Sequence, residues 1–194
     1  RAAIDFEKYL TTWDDHHGVR MANVSTQRGC PYTCKWCSTA VYGQSYKRRP
    51  AEEVANEIEM LKNDFDVNGI WFVDDVFSVN HKWIDQLHTE FQNRNLKIAF
   101  EIITRAERLN SKVLGQLKEM GCFRIWIGAE SGSQKIINAM DRKVKVETVR
   151  EMILETQEHG MEAGTFIMVG YPGEGIPEVE ETVHHLKVAT PNEL

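Results

Sequence analysis

Cys30, Cys34 and Cys37, spaced CxxxCxxC, are the residues of this sequence best suited to do chemistry. Gly29 and Pro31 bend the chain around them, so three thiolates can converge on one inorganic centre. A disulfide framework competes poorly, because the one further cysteine, Cys122, lies far off inside an apolar run. Structural zinc prefers four protein ligands in short pairs, and no second pair is present. His16 and His17 could offer a fourth ligand, but adjacent side chains seldom reach one metal. An iron-sulfur cube held by three cysteines fits the spacing better and leaves one iron free for a substrate or cofactor.

The elements that must position this loop follow from periodicity. Residues 1–20 have no clear period and read as a lead-in segment with one short helix over 6–10, and Asp14-Asp15-His16-His17 reads as a polar turn. Met21 to Gln27 is the expected first strand and feeds straight into the cysteines. After Pro50, the residues Val54, Ile58, Leu61 and Phe65 recur at spacings of four, three and four, which is one buried helical face. Ile70 to Val73 then runs apolar into Asp74-Asp75, as a doubly buried strand does. The alternation repeats: a helix carrying Ile84, Leu87 and Phe91, a strand over 98–103, a helix with Val113, Leu117 and Met120, and a strand over 123–127. Helices over 131–140 and 146–159, a strand over 164–169 and a helix over 178–189 complete the series. Five strand-helix units in one direction imply a parallel sheet with right-handed crossovers, as a barrel or an open curved sheet. A complete eight-unit barrel needs about 250 residues, so the 194 present are expected to form a partial one.

Composition narrows the function classes. With 42% hydrophobic residues the chain has ample material for one core, expected over residues 21–194. Its net charge is -6, and the dense basic cluster Lys47-Arg48-Arg49 reads as a solvated turn, so a nucleic-acid footprint is not evident. No apolar run approaches a membrane span and no secretory leader opens the chain, which points to the cytoplasm, where thiols stay reduced. Arg1 at the start and the Thr190-Pro191-Asn192-Glu193-Leu194 turn at the end suggest a piece of a longer protein.

The CxxxCxxC triad, with Trp36 just before its last cysteine, resembles the signature of the radical S-adenosylmethionine (radical SAM) superfamily. The string STQRGCPYTCKWCSTAVYGQSYKRR resembles the branch whose members usually carry a cobalamin-binding domain upstream. The resemblance runs from about Ser25 to Pro191. It implies a partial (βα)6 TIM-like barrel of the α/β class, with a sixth strand missing from this chain. It also implies that Cys30, Cys34 and Cys37 bind a 4Fe-4S cluster, and that S-adenosylmethionine (SAM) chelates the fourth iron. One electron, from a donor such as a flavodoxin or ferredoxin, then breaks the sulfonium bond and yields a 5'-deoxyadenosyl radical that abstracts hydrogen from a small-molecule substrate.

In parallel barrels functional groups gather at the carboxyl ends of the strands. Those ends carry the cysteine loop, Asp74-Asp75, Thr104-Arg105, Glu130-Ser131-Gly132 and Gly170-Tyr171-Pro172-Gly173. Where relatives often have GGE for the SAM ammonium, this chain has Asp74 and Asp75, which become the candidates, against the plainer reading of an acidic turn. Glu101, in the third strand, is either a core ion pair with Arg105 or Arg124 or a contact to SAM. Glu130 and Ser131, in IGAESGS, resemble the motif that lies along the ribose and methionine. Arg142 resembles an arginine that pairs with the SAM carboxylate, against a plain surface residue. GTFIMVGYPGEG resembles the motif whose main chain supports adenine, and it lacks the lysine of a phosphate-binding loop. Trp36 is expected to shield the cluster.

By resemblance the outcome is methyl transfer that uses cobalamin, held in a domain outside this chain, or oxidative ring closure. Methylthiolation, which would need a second cluster, and a non-enzymatic zinc-binding module are the alternatives.

Overall fold

A computed structural model describes residues 4–37 and 45–194; Ser38 to Gln44, part of the motif-bearing string, fall outside them, as do the first three residues of the lead-in segment. Helix α1 (Phe6–His17) leads into strand β1 (Met21–Val24), and a two-stranded ribbon, β2 (Gln27–Arg28) with β3 (Lys47–Arg48), brackets the cysteine loop. Then come α2 (Ala51–Phe65), β4 (Gly69–Phe72), α3 (His81–Asn93), β5 (Ala99–Thr104), a 3-10 turn (Ala106–Arg108) and α4 (Ser111–Met120). Strand β6 (Cys122–Glu130), α5 (Gln134–Ala139), α6 (Val146–Glu158), β7 (Glu162–Ile167) and α7 (Ile176–Ala189) complete the chain.

The main sheet has the order β1-β4-β5-β6-β7, every pair parallel, so sheet order repeats chain order. With right-handed crossovers, that order stacks the helices on one face. Ile70, Phe72, Phe100, Ile102, Ile125, Ile127 and Ala163, each 1% exposed or less, turn to that face. They meet Val54, Ile58, Leu61, Ile84, Leu87, Leu114, Leu117 and Ile153 of the helices in one core. Residues of opposite parity, among them Trp71, Ile103, Trp126 and Phe166, face the other side, which no helix covers among the described residues and where they are half-buried or exposed.

Several expectations shift at element ends. Helix α1 runs to His17 rather than residue 10: Asp5 accepts from Lys8 N at 3.2 Å, and Gly18 ends it in the left-handed region at φ 67°. His16 and His17 therefore lie on an exposed helix end rather than in a turn. The first strand stops at Val24, because Ser25 and Thr26 turn the chain out of the sheet into the ribbon. The basic cluster is no solvated turn. Arg48 lies 3.6 Å over the Trp83 ring and donates to Phe77 O at 2.8 Å, so the ribbon is fastened to α3. The helix expected from residue 131 begins at Gln134, since Gly132 N donates to Thr182 Oγ1 at 2.9 Å. The sixth position of the sheet is not wholly empty. Asn192 and Glu193 run along β7 through a parallel bridge between Gly164 and Glu193, with Thr165 N donating to Glu193 O at 3.0 Å. Among the described residues no helix is long and apolar enough to cross a membrane.

Phe72 joins the strands to the helical core, with ring centroids 4.8 Å from Phe77 and 5.2 Å from Phe100. Phe72→Ala is expected to cost about 3–5 kcal/mol, read as a lowered urea midpoint with unchanged slope.

Candidate functional site

The carboxyl ends of the strands surround a cavity of about 300 Å³. The cysteine loop contributes Cys30, Tyr32, Cys34, Trp36 and Cys37 to its wall. The end of β4 contributes Asp75 and Val76, β5 contributes Ile103, Thr104 and Arg105, β6 contributes Gly128 and Glu130, and Arg142 and Phe166 close it. All three thiols of the triad thus open into one space. Burial pushes the Cys30 and Cys37 thiols up, and the neighbouring Asp75 and Cys34 raise both further. Metal binding must displace those protons. Among the described residues no three His, Cys, Asp or Glu side chains are gathered at single-ion spacing. A tetrahedral zinc draws its ligands to one point, whereas a cube takes a thiolate at each of three separate corners.

The loop has little regular structure and is held from outside. Arg105, 4% exposed, donates from Nη1 to Cys34 Sγ at 3.1 Å, bonds the Arg142 carbonyl and Glu107, and lies 4.1 Å over the Tyr32 ring. Arg108 donates to the Tyr32 hydroxyl, and Lys35 N donates to Met140 O at 3.0 Å. Gly29, at φ 79°, admits no side chain, because a Cβ there would overlap the Ser45 carbonyl. Tyr32 and Arg108 escaped the sequence reading; an arginine beyond a strand end beside an aromatic in the cysteine loop was the available signal for Arg105 and Tyr32.

Asp74 does not line the cavity. Its Oδ1 accepts from Thr26 N at 2.8 Å and Gln27 N at 3.1 Å, and Oδ2 accepts from the Thr26 hydroxyl, so it clamps the turn by which the chain leaves β1 for the cysteines. Its partner in sequence, Asp75, is exposed and faces the cavity. Glu101 also lies outside the cavity. Its Oε2 accepts from Trp126 Nε1 at 2.9 Å and sits 3.7 Å from Arg124, which is the core ion pair of the plainer reading. Ser131 turns to α7, its hydroxyl 3.1 Å from Thr182 Oγ1, and Gly132 packs against α7 rather than opening to a ligand.

Glu130 and Arg142 do meet at the cavity, with Glu130 Oε1 3.9 Å from Arg142 Nη2. Arg142 is 3% exposed, not a surface residue, and bonds the Gly128 carbonyl. A Cβ at Gly128 would stand 2.7 Å from Glu130 Oε1, so a side chain there would push the Glu130 carboxylate aside. Burial raises the Glu130 carboxyl above its ordinary range, against the pull of Arg142 and Arg105. Two donors on the cavity wall, Trp36 Nε1 and Arg142 Nε, are buried without a hydrogen-bond partner among the described residues. Of the GTFIMVGYPGEG stretch, Phe166 within β7 is the residue that lines the cavity, stacked at 5.1 Å on Trp126.

A five-stranded parallel sheet with a cysteine-lined cavity at its carboxyl edge defines an α/β partial barrel that gathers three thiols at one mouth. The model of the radical SAM superfamily matches residues 24–186, and the chain belongs to that superfamily, whose enzymes use a 4Fe-4S cluster and SAM. It is 30% identical over 172 residues to an uncharacterized methyltransferase of Pyrococcus horikoshii, a match covering 88% of this chain and 37% of the relative. It is 25% identical over 181 residues to the anaerobic magnesium-protoporphyrin IX monomethyl ester cyclase of Rubrivivax gelatinosus, covering 92% and 32%. The chain thus spans about a third of the length of these curated relatives. In fold it is similar to the radical SAM methyltransferase TsrM of Kitasatospora setae solved with cobalamin and a [4Fe-4S] cluster. That likeness has TM-score 0.78 and 17% identity, covering 89% of this chain and 33% of that one.

Two outcomes follow from the buried acids. Asp74→Ala leaves the Thr26 and Gln27 amides without their acceptor, and is expected to cost about 1–3 kcal/mol in urea unfolding while exposing the cysteines to faster alkylation. Burial raises the Glu101 carboxyl, opposed by the Trp126 hydrogen bond and by Arg124. A raised carboxyl holds its proton more firmly in the fold than in the unfolded chain. Its contribution to stability is therefore full below the unfolded value near 4.5 and lost as pH rises through the folded value. Glu101→Gln, which keeps an acceptor for Trp126, is expected to flatten that part of the pH profile of thermal stability.

Proposed function

We propose that Cys30, Cys34 and Cys37 hold a 4Fe-4S cluster whose fourth iron takes SAM. On this reading the chain is the core of a radical SAM enzyme that performs cobalamin-dependent methyl transfer or oxidative cyclisation on a small molecule. The carrying observation is that three thiols open into the same cavity as two buried donors without acceptors, Trp36 Nε1 and Arg142 Nε. Held by Cys30, Cys34 and Cys37, such a cluster would supply one-electron reduction of the SAM sulfonium.

The chain's own residues do the binding and orienting. The Arg142 guanidinium, already held by the Gly128 carbonyl, offers donors to a carboxylate. Asp75 and Glu130, both on the cavity wall, offer acceptors to an ammonium. Val76, Ile103 and Phe166 exclude water from the space between them. Trp36 covers the cysteine side. Asp74, Glu101 and Ser131 act at one remove, fixing the loop, the strand and the Glu130 turn respectively.

The names of the relatives, methyltransferase and cyclase, support the two outcomes, and the cobalamin in the TsrM structure supports that cofactor. Curated relatives about three times as long leave room for a cobalamin domain and for substrate contacts beyond these residues. A flavodoxin or ferredoxin supplies the electron, in the cytoplasm.

Anaerobic reconstitution with iron and sulfide, followed by electron paramagnetic resonance, tests the reading. A cubane signal that changes on adding SAM is expected, and each of Cys30→Ala, Cys34→Ala and Cys37→Ala is expected to abolish SAM cleavage. Stoichiometric zinc with no iron signal, or full activity in any of the three variants, would overturn it.

A further inference from the structure

Charge is distributed very unevenly along this acidic chain. From Val19 to Ala51 there are six cationic side chains and no aspartate or glutamate; the remaining sequence holds seventeen cations against twenty-nine acids. The cysteine loop lies in the middle of the acid-free stretch. Three of its cations are spent on the fold: Arg20 pairs with Glu7 at 2.9 Å, Arg49 pairs with Glu57 at 2.6 Å, and Arg48 is tucked under the ribbon against Trp83. Arg28, Lys35 and Lys47 are exposed and form no ion pair among the described residues.

The ribbon sets like charges against each other. Its two cross-strand pairs are Gln27 with Arg48 and Arg28 with Lys47. The first pair faces inward and is satisfied, Arg48 donating to Gln27 Oε1. The second faces solvent and sets two cations directly opposite each other, an arrangement that destabilises an antiparallel ladder. Arg28 and Lys47 line a groove of about 510 Å³ in which the single carboxylate among the described lining residues, Glu57, is already taken by Arg49. Glu52 and Glu53, at the start of α2, do not line it. Arg28 is two residues from Cys30.

We propose that the Arg28–Lys47 face of the ribbon is the docking surface for an acidic one-electron carrier protein that reduces the centre in the adjacent cysteine loop. The proposal rests on the reading of the site given above. Charge complementarity selects the partner: a positive patch on an otherwise acidic protein repels most acidic surfaces and attracts one that approaches at the loop.

The test uses the full-length protein and a purified acidic flavodoxin as probe. Flavodoxin affinity is measured at low and high ionic strength for the unmodified protein, R28E/K47E and the milder R28Q/K47Q. SAM cleavage is then driven by reduced flavodoxin or, separately, by dithionite. The reversed pair is expected to lose about tenfold or more in flavodoxin affinity and in flavodoxin-driven rate at low salt, with the gap closing at high salt. The neutralised pair is expected to fall between, and to be at least as stable in urea as the unmodified protein, because the cross-strand repulsion is gone. Dithionite-driven cleavage is expected to be the same in all three. Equal flavodoxin affinity and rate across the three proteins would overturn the proposal, as would variants that lose affinity for transfer RNA but keep it for flavodoxin. Absence of dithionite-driven cleavage in the unmodified protein would strike at the reading of the site, a failure separate from equal flavodoxin affinity.

Discussion

A loop with three thiols and, among the described residues, few backbone hydrogen bonds of its own is held by its neighbours, and here two buried charged groups take a large part. Asp74, below, takes up the Thr26 and Gln27 amides, and Arg105, beside, reaches Cys34, the Arg142 carbonyl and the Tyr32 ring. Both groups extend from ends of parallel strands, so the precision of the loop derives from the sheet. Charge-assisted bonds suit this task because they are short, directional and strengthened by burial. Their cost is desolvation, visible as the raised carboxyl of Asp74, and it is offset by the several partners each group finds.

Most of the architecture was legible in the sequence because it depends on period. Val54, Ile58 and Leu61 announce a buried helical face, Ile70 to Phe72 announce a buried strand, and five such units in one direction leave few topologies. The ends of elements were less legible because side chains far away in sequence decide them. Thr182, fifty residues on, sets where α5 begins by taking the Gly132 amide, and Asp74 decides where β1 stops. The cysteine triad was plain from spacing. Which acids face the cavity was not, since Asp74 and Asp75 are adjacent and identical in type, and their opposite roles follow from the direction in which each side chain leaves the end of β4. Glu101 could be narrowed to two fates in sequence, and what the sequence could not supply is the Trp126 indole that hydrogen-bonds it beside Arg124.

The two faces of the sheet are built for different purposes. The helix-covered face is mainly apolar and carries most of the hydrophobic core. The other face mixes aromatics, an ion pair and glycines, and it leads up to the cavity. Glu130 marks the transition: it leaves β6 at φ 66°, where the register with β7 slips between Gly128 and Glu130. The strand thereby gives up regular pairing at the point where its side chain reaches the site.

The Trp126 indole has a bearing on how this sequence can drift. A Cβ at Gly164 would stand 2.5 Å from the ring, the ring stacks on Phe166, and its Nε1 satisfies Glu101. Positions 101, 126, 164 and 166, spread over three strands, are therefore one unit of inheritance. A smaller residue at 126 would release 164 from glycine and at the same time strand a carboxylate in the interior. Homologues in which any one of the four has changed are expected to have changed the others with it.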